Sequence, residues 1–505
     1  MATSICTSNL TSGFIDLATY DELEKYMYGG ADATAYFVRE VRKSTWFTQV
    51  PVCLSRASGN PAFGADWSVS ISRAGDYLLY TWLRVNIPAI NICSTNATPN
   101  VFTQCATNVG IRWTQNLGHN LIKECCISFN DLVAARFDNY HLDFWTAFTL
   151  PEAKKVGYYN MIGNIPALTG EGLPPLNFLP AATLNIPLPF WFSRDSGVAL
   201  PTAALPYNEM RINLTFRHWN ELLIADAYDS GNNCWASSNF SNPHGNNPSA
   251  FVGGQTVTLN GEPTLSTSSA NVWANYAIVS NDERKRMACA PRDILIEQVQ
   301  TASVQNYAPA TNNQPQYDIR FSHAIKALFF SVRNNTISSE WSNYTDYTSL
   351  RGNAGVVDGA QVLTATANDV LVLNAGADPI EHTSLVYENT QRLAQQFSDY
   401  YSFVQPWYHA PRIPDITGYH MYSYSLDFYC LDPMGSTNYG KLTNVSLIPK
   451  ATTEAANLNG IASTPYIGPA PEPSCAVKQT YAFITTVINN NIIRISGGAL
   501  GFPIL

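Results

Sequence analysis

The most chemistry-like grouping in the chain is two histidines and an aspartate within one aromatic stretch. His409, Asp415 and His420 lie in PWYHAPRIPDITGYHMYSY, and imidazole with carboxylate can ligate a metal or pass a proton near neutral pH. Histidines set among Tyr and Pro are more often packed, hydrogen-bonded members of a β-sandwich, and that reading is preferred. Asp195 in SRDSG and Asp432 in LDPMG read as turn residues, because an Asp side chain bonds its own backbone two positions on. The local signatures of hydrolases, zinc proteases and nucleotide-binding loops (GxSxG, HExxH, GxGxxG and the P-loop) are all absent. The expectation is no catalytic, cofactor-binding or metal-ligating residues, and no enzyme.

Sequons of the form N-x-S/T begin at Asn9, Asn96, Asn213, Asn239, Asn334, Asn343 and Asn444. Asn213 and Asn444 fall in predicted strands, so the candidate glycan sites are Asn96, Asn239, Asn334 and Asn343. Met1–Leu10 has no positive segment followed by an apolar one, and no apolar run approaches the roughly 18 residues that span a bilayer. The expectation is a chain neither conventionally secreted nor transmembrane, whose sequons the usual glycosylation machinery does not meet.

The elements that must position these residues are mostly strands. Of 505 residues, 13% are charged and 12% aromatic, with 30 Gly and 30 Pro; an average soluble protein has about 25% charged residues. A net charge of −9, with 29 Lys and Arg in all, argues against direct nucleic-acid binding. The ten cysteines include the neighbours Cys125 and Cys126 but no CxxC, so Cys53, Cys125 and Cys430 read as buried reduced thiols in apolar strands. Short aromatic and β-branched runs alternate with Pro, Gly, Asn and Ser clusters: Trp67–Ile71, Tyr77–Ile87, Met210–Phe216, Ile319–Val332 and Tyr481–Ile495 are examples. That texture predicts an all-β sandwich or jelly roll.

Met1–Gly30 differs. Phe14, Leu17, Tyr20, Leu23 and Met27 recur at three- and four-residue steps, which predicts one amphipathic helix ended by Gly29 and Gly30, an arm that packs on its own domain or reaches a neighbour. NDERKRM, at Asn281–Met287, reads as a short connecting helix. On either side of it four segments repeat in order. GDYLLYTWLRV (Gly75–Val85) parallels HAIKALFFSVR (His323–Arg333), and FNDLVAARFDNYHLDF (Phe129–Phe144) parallels YENTQRLAQQFSDYYSF (Tyr387–Phe403). MRINLTF (Met210–Phe216) then parallels KLTNVSLI (Lys441–Ile448), and ANYAIV (Ala274–Val279) parallels TYAFITTV (Thr480–Val487). This order predicts two tandem eight-stranded antiparallel jelly rolls. The boundaries are an arm at 1–30, a first jelly roll at 31–281, a connecting helix at 282–291 and a second jelly roll at 292–505. The polar insertions 226–271 and 334–379 read as loops decorating one face.

Several longer blocks carry a resemblance. TSGFIDLATYDELEKYMYGG, SGNPAFG, FTLPEAKKVGYYNMIGN, LPFWFSRDSGVALPTAALPYNEMRI, SLVYENTQRL, GSTNYGKLTNVSL and NNIIRISGGALGFPIL, spread from end to end, resemble the major capsid proteins of iridoviruses and their relatives, including marseilleviruses. The resemblance implies a double jelly roll and a homotrimer forming a pseudo-hexagonal capsomer. It also implies neighbouring capsomers, minor capsid and penton proteins as partners, with assembly in the host cytoplasm around an internal lipid membrane. The chain departs from the shorter iridovirus pattern at Asp226–Asn271 and Cys93–Cys105. The rival reading is a secreted carbohydrate-binding or carbohydrate-cleaving β-sandwich with exposed Trp and Tyr as sugar platforms; a third is a receptor-binding spike module.

Overall fold

The computed structural model describes residues 4–92, 109–170, 176–229, 234–240, 248–310, 314–346, 378–458 and 479–502. It has two compact units, Met1–Trp46 and Phe47–Leu505. In the first, the predicted single helix is two, α1 (Ser4–Ala18) and α2 (Glu22–Tyr28). The break is local: Asp21 takes an extended backbone, and its N–H donates to the Glu24 carboxylate three residues on (3.3 Å), a capping box that restarts the helix. Phe14, Leu17, Tyr20, Leu23 and Met27 are all exposed. Residues 31–46 belong to this unit, so the large unit begins at Phe47 and not at residue 31.

The large unit contains two sandwiches with one plan. The first uses β1 (Phe47–Cys53), β2 (Asp66–Ser70), β3 (Tyr77–Ile87), β4 (Ile122–Phe129), β5 (Leu132–Asp138), β6 (Ala182–Leu188), β7 (Met210–Phe216) and β8 (Ala270–Val279). The second uses β9 (Arg292–Thr301), β10 (Tyr317–Asp318), β11 (Ala324–Asn334), β12 (Ile380–Tyr387), β13 (Thr390–Phe397), β14 (His420–Ser423), β15 (Val445–Ala451) and β16 (Tyr481–Ser496). The sheet orders are β1-β8-β3-β6 facing β2-β7-β4-β5, then β9-β16-β11-β14 facing β10-β15-β12-β13. Adding eight to each label of the first pair gives the second, the jelly-roll order twice over. All four repeated segments fall on equivalent strands: β3 with β11, β4–β5 with β12–β13, β7 with β15, and β8 with β16.

The β4–β5 and β12–β13 hairpins show how the sequence enforces this plan. Both close through two residues at positive φ, Asn130 (48°) and Asp131 (69°) in one, Glu388 (48°) and Asn389 (66°) in the other. That handedness matches the right-handed twist of the flanking strands, and Asn and Asp tolerate it better than other non-glycine residues. Between the sandwiches, the helix Asn281–Cys289 is the connecting helix, and its Arg284 grips Asp76 at the start of β3 with two bonds of 2.6 and 2.9 Å.

Three expectations need correction. Asp226–Asn271 is not a structureless decoration: its strands Cys234–Asn239, Ser249–Val252 and Gln255–Thr258 form hairpin pairs, and Phe240, Val252, Val257 and Leu259 join the main core. Residues 334–346 are largely buried, with Ser339, Glu340 and Asn343 at 0–2% exposure, so this part of the second insertion faces inward; 347–377 lie outside the described residues. Cys125 is buried as expected and Cys430 is part-buried, but Cys53 is exposed, because β1 is a sheet edge open to solvent along most of its length.

Asp131→Val forces a β-branched residue to φ near 69° and should lower unfolding free energy by about 1–3 kcal/mol. Asp131→Gly should leave it equal or higher; urea denaturation of the two variants checks both.

Candidate assembly interface

The described residues that combine burial, charge and long-range pairing lie where the sandwiches meet. β5 runs into α3 (Asn139–Thr149), whose N-cap Asp138 accepts from the His141 N–H. Tyr140, Phe144 and Phe148 recur every fourth residue and form one stripe. That stripe lies on the outer face of the second half's sheet, against Phe329, Met421, Ile484 and Ile488. Phe144 and Phe148 place their ring centres 5.9 and 5.4 Å from Phe329. This contact explains why β11 is buried along nearly its whole length, while Arg84 and Asn86 of β3 alternate outward to solvent.

Residues 338–346 lock the joint with polar groups. Arg112, in the strand Val109–Trp113, bonds Asp226 at 3.0 Å and Glu340 at 2.5 Å, all three side chains being 2–3% exposed. Burial opposes the guanidinium charge, and the two carboxylates outweigh it and raise its pKa. The Trp341 ring sits between two arginines, Arg217 of the first half (3.6 Å) and Arg333 of the second (3.9 Å). Burial pushes Arg217 down to about 10, which leaves it charged at neutral pH.

Asp143 on α3 divides its two oxygens between the halves. One accepts from His119 Nδ1 (2.7 Å) and Asn116 (3.2 Å), the other from Ser342 (2.7 Å) and Tyr344 (3.0 Å) of the second half. His119 Nε2 accepts in turn from Tyr158 (2.6 Å). This row has the connectivity of a proton relay, but burial raises the Tyr158 hydroxyl's pKa and keeps it protonated, and the Asp143 oxygens are spent on the joint.

The sequence-predicted sites fare unevenly. His409 contacts the Leu426 carbonyl (2.8 Å), His420 contacts Asp378 (2.6 Å) and stacks on Phe330, and Asp415 pairs with Arg412 (2.6 Å) and Lys155. The three therefore serve separate contacts. Asp195 caps a turn by accepting from the Ser196 N–H (2.8 Å), the role read from its sequence. The glycan candidates Asn334 and Asn343 are corrected: both are at most 1% exposed, and their side-chain amides donate inside the fold, leaving no room for a sugar. Asn239 donates to Ser338 and accepts from the Ser339 N–H (3.3 Å) across the joint, while Asn96 lies outside the described residues. Sequence reading missed Arg112, Arg333 and Trp341 as joint residues. The one signal for the two arginines was a charge inside an apolar run, VGIRW and FFSVR, since a buried charge needs a partner.

Comparison with known proteins settles the family. A family model described as "Major capsid protein N-terminus" matches residues 35–279, and one described as "Large eukaryotic DNA virus major capsid protein" matches 283–501. The chain belongs to the major capsid protein family of large eukaryotic DNA viruses. The major capsid protein of Costelytra zealandica iridescent virus is 58% identical over 504 residues, covering 99% of this chain and 100% of the relative. That of Frog virus 3 (isolate Goorha) is 43% identical over 506 residues, covering 99% and 100%. Among solved structures, the VP54 of PBCV-1 aligns with TM-score 0.65 at 19% identity over 93% of this chain and 100% of its own. The Faustovirus major capsid protein aligns at 0.64 and 12% over 98% and 99%. These capsid proteins share the double jelly roll. The chain is a structural subunit of a virion shell, and the capsid-protein reading of its sequence stands.

Arg112→Met leaves two buried carboxylates without a counter-charge and should cost about 3–5 kcal/mol of stability. Replacing Arg112, Asp226 and Glu340 together by apolar residues of similar volume should recover most of that loss. Equilibrium denaturation of the single and triple variants provides the comparison.

Proposed function

We propose that the chain assembles as a homotrimer whose six jelly rolls form a pseudo-hexagonal capsomer, and that these capsomers tile the facets of an icosahedral shell. The observation that carries this reading is two sandwiches of identical strand order joined side by side in one large unit. Three copies then present six similar edges. Closing such a ring needs unlike faces of neighbouring subunits to meet, and permanent interfaces of this kind bury about 2,000 Å² or more and favour aromatic residues. The 23 Phe, 27 Tyr and 11 Trp, with only 13% charged residues, suit that demand.

The arm is proposed to act between capsomers, toward a neighbour or a minor capsid or penton protein. Its apolar residues Phe14, Leu17, Leu23 and Met27 are exposed, and such a stripe needs a partner surface. Assembly is proposed to occur in the host cytoplasm over an internal lipid membrane reached indirectly. Enclosure of the genome without direct contact is proposed as well, supported by the charge of −9.

Sedimentation of the purified chain should give the mass of a trimer; a chain that stays monomeric would overturn the homotrimer and leave its capsid family untouched. Removing residues 1–46 should leave folded trimers that fail to build ordered shells, seen by electron microscopy. Loss of folding on that deletion would instead make the segment part of its own chain's stability.

A further inference from the structure

Within the chain, the first half gives a helix to the second half's sheet, yet the equivalent helix of the second half leaves one aromatic side uncovered among the described residues. α3 follows β5 and buries Phe144 and Phe148, four residues apart, at 0% exposure. The segment after β13 is likewise helical, a π turn at Tyr400–Val404 continuing into α4 (Gln405–His409). It carries Phe403 and Trp407, again four apart, and these are 48% and 70% exposed, beside Tyr408 at 71%. The other side of this segment is held firmly on its own half: Tyr401 donates to the Thr383 carbonyl (3.0 Å) and Ser402 to the Tyr419 carbonyl (2.9 Å). Its exposed aromatic side is therefore fixed in place and displayed.

The receiving surface shows the same imbalance. The outer face of the second half's sheet is covered by α3, whereas the matching face of β1-β8-β3-β6 leaves Tyr80 exposed and Trp82 and Trp273 half-buried. Those two indoles stack at 6.1 Å, and Trp82 borders a groove of about 750 Å³ that also touches Pro187 and Trp145.

We propose that Phe403 and Trp407 of one copy seat on Tyr80, Trp82 and Trp273 of the next copy, repeating between chains the contact that α3 makes within one. The proposal rests on the trimer reading and names its interface. Its warrant is internal: the chain contains one occupied example of helix on sheet, and among the described residues it leaves one helix side and one sheet face of the same kind open, the latter bordered by Trp145 and Met161. Each jelly roll then gives one helix and receives one, a heterologous contact that propagates in one direction until the ring closes. The contact between copies is aromatic, without the buried ion triad of the internal joint, so it can form between chains that have already folded.

The test uses the full chain. F403D/W407D should fold with wild-type circular dichroism and melting behaviour, because both side chains are exposed, yet sediment as a monomer, with the trimer's dissociation constant raised about 30-fold or more. In a background lacking Cys53 and Cys289, the exposed thiols among the described residues, W82C/W407C should oxidise to covalent trimers while each single variant does not. A trimer that survives F403D/W407D unchanged, or a disulfide confined to one chain, overturns this contact and leaves the trimer standing. A wild-type chain that stays monomeric at high concentration overturns the trimer and the contact together.

Discussion

One indole ring holds the architecture to a single geometry. Trp341 lies between the guanidinium groups of Arg217 and Arg333, one from each jelly roll, at 3.6 and 3.9 Å. Two like charges brought this close would repel; the electron-rich faces of the ring let both approach at once. Around it the Arg112 triad and Asp143 tie residues 338–346 to the first half, so buried polar groups on each side find partners only when the halves are correctly seated. Such a joint specifies orientation more than it adds stability, because desolvating three charges costs nearly what their attraction returns.

Fixed orientation is what a shell subunit requires. A facet built from many copies multiplies any angular freedom inside each copy, and a hinged pair of sandwiches would not tile. The apolar stripe of α3 supplies area, with Tyr140, Phe144 and Phe148 in one cluster with Phe329 and Ile484, and the polar wedge supplies register. The same fold thus uses a helix-on-sheet contact that is non-directional in energy and adds directional bonds where precision matters.

Much of this was legible in the sequence, for identifiable reasons. The duplication showed because equivalent strands must alternate or bury the same residue types, so Gly75–Val85 and His323–Arg333 kept a common texture across the repeat. The β4–β5 and β12–β13 turns kept their Asn-Asp and Glu-Asn pairs because positive φ restricts what fits there. The joint was not legible, since Arg112, Asp226 and Glu340 are 114 and 228 residues apart, and no local pattern links them. The same blindness made Asn334 and Asn343 look like surface sequons: a polar Asn-Ser-Thr segment reads as solvated unless its buried partners are known. The arm's break at Asp21 was visible as D-x-x-E but was overridden by the longer apolar periodicity.

The central claim is that the two jelly rolls behave as one body because of their joint. Calorimetric unfolding of the purified chain addresses it most directly. The account predicts one cooperative transition with equal calorimetric and van't Hoff enthalpies, splitting into two when Trp341→Ala and Arg112→Met are combined. Two resolved transitions in the unaltered chain, each half melting independently, would contradict it.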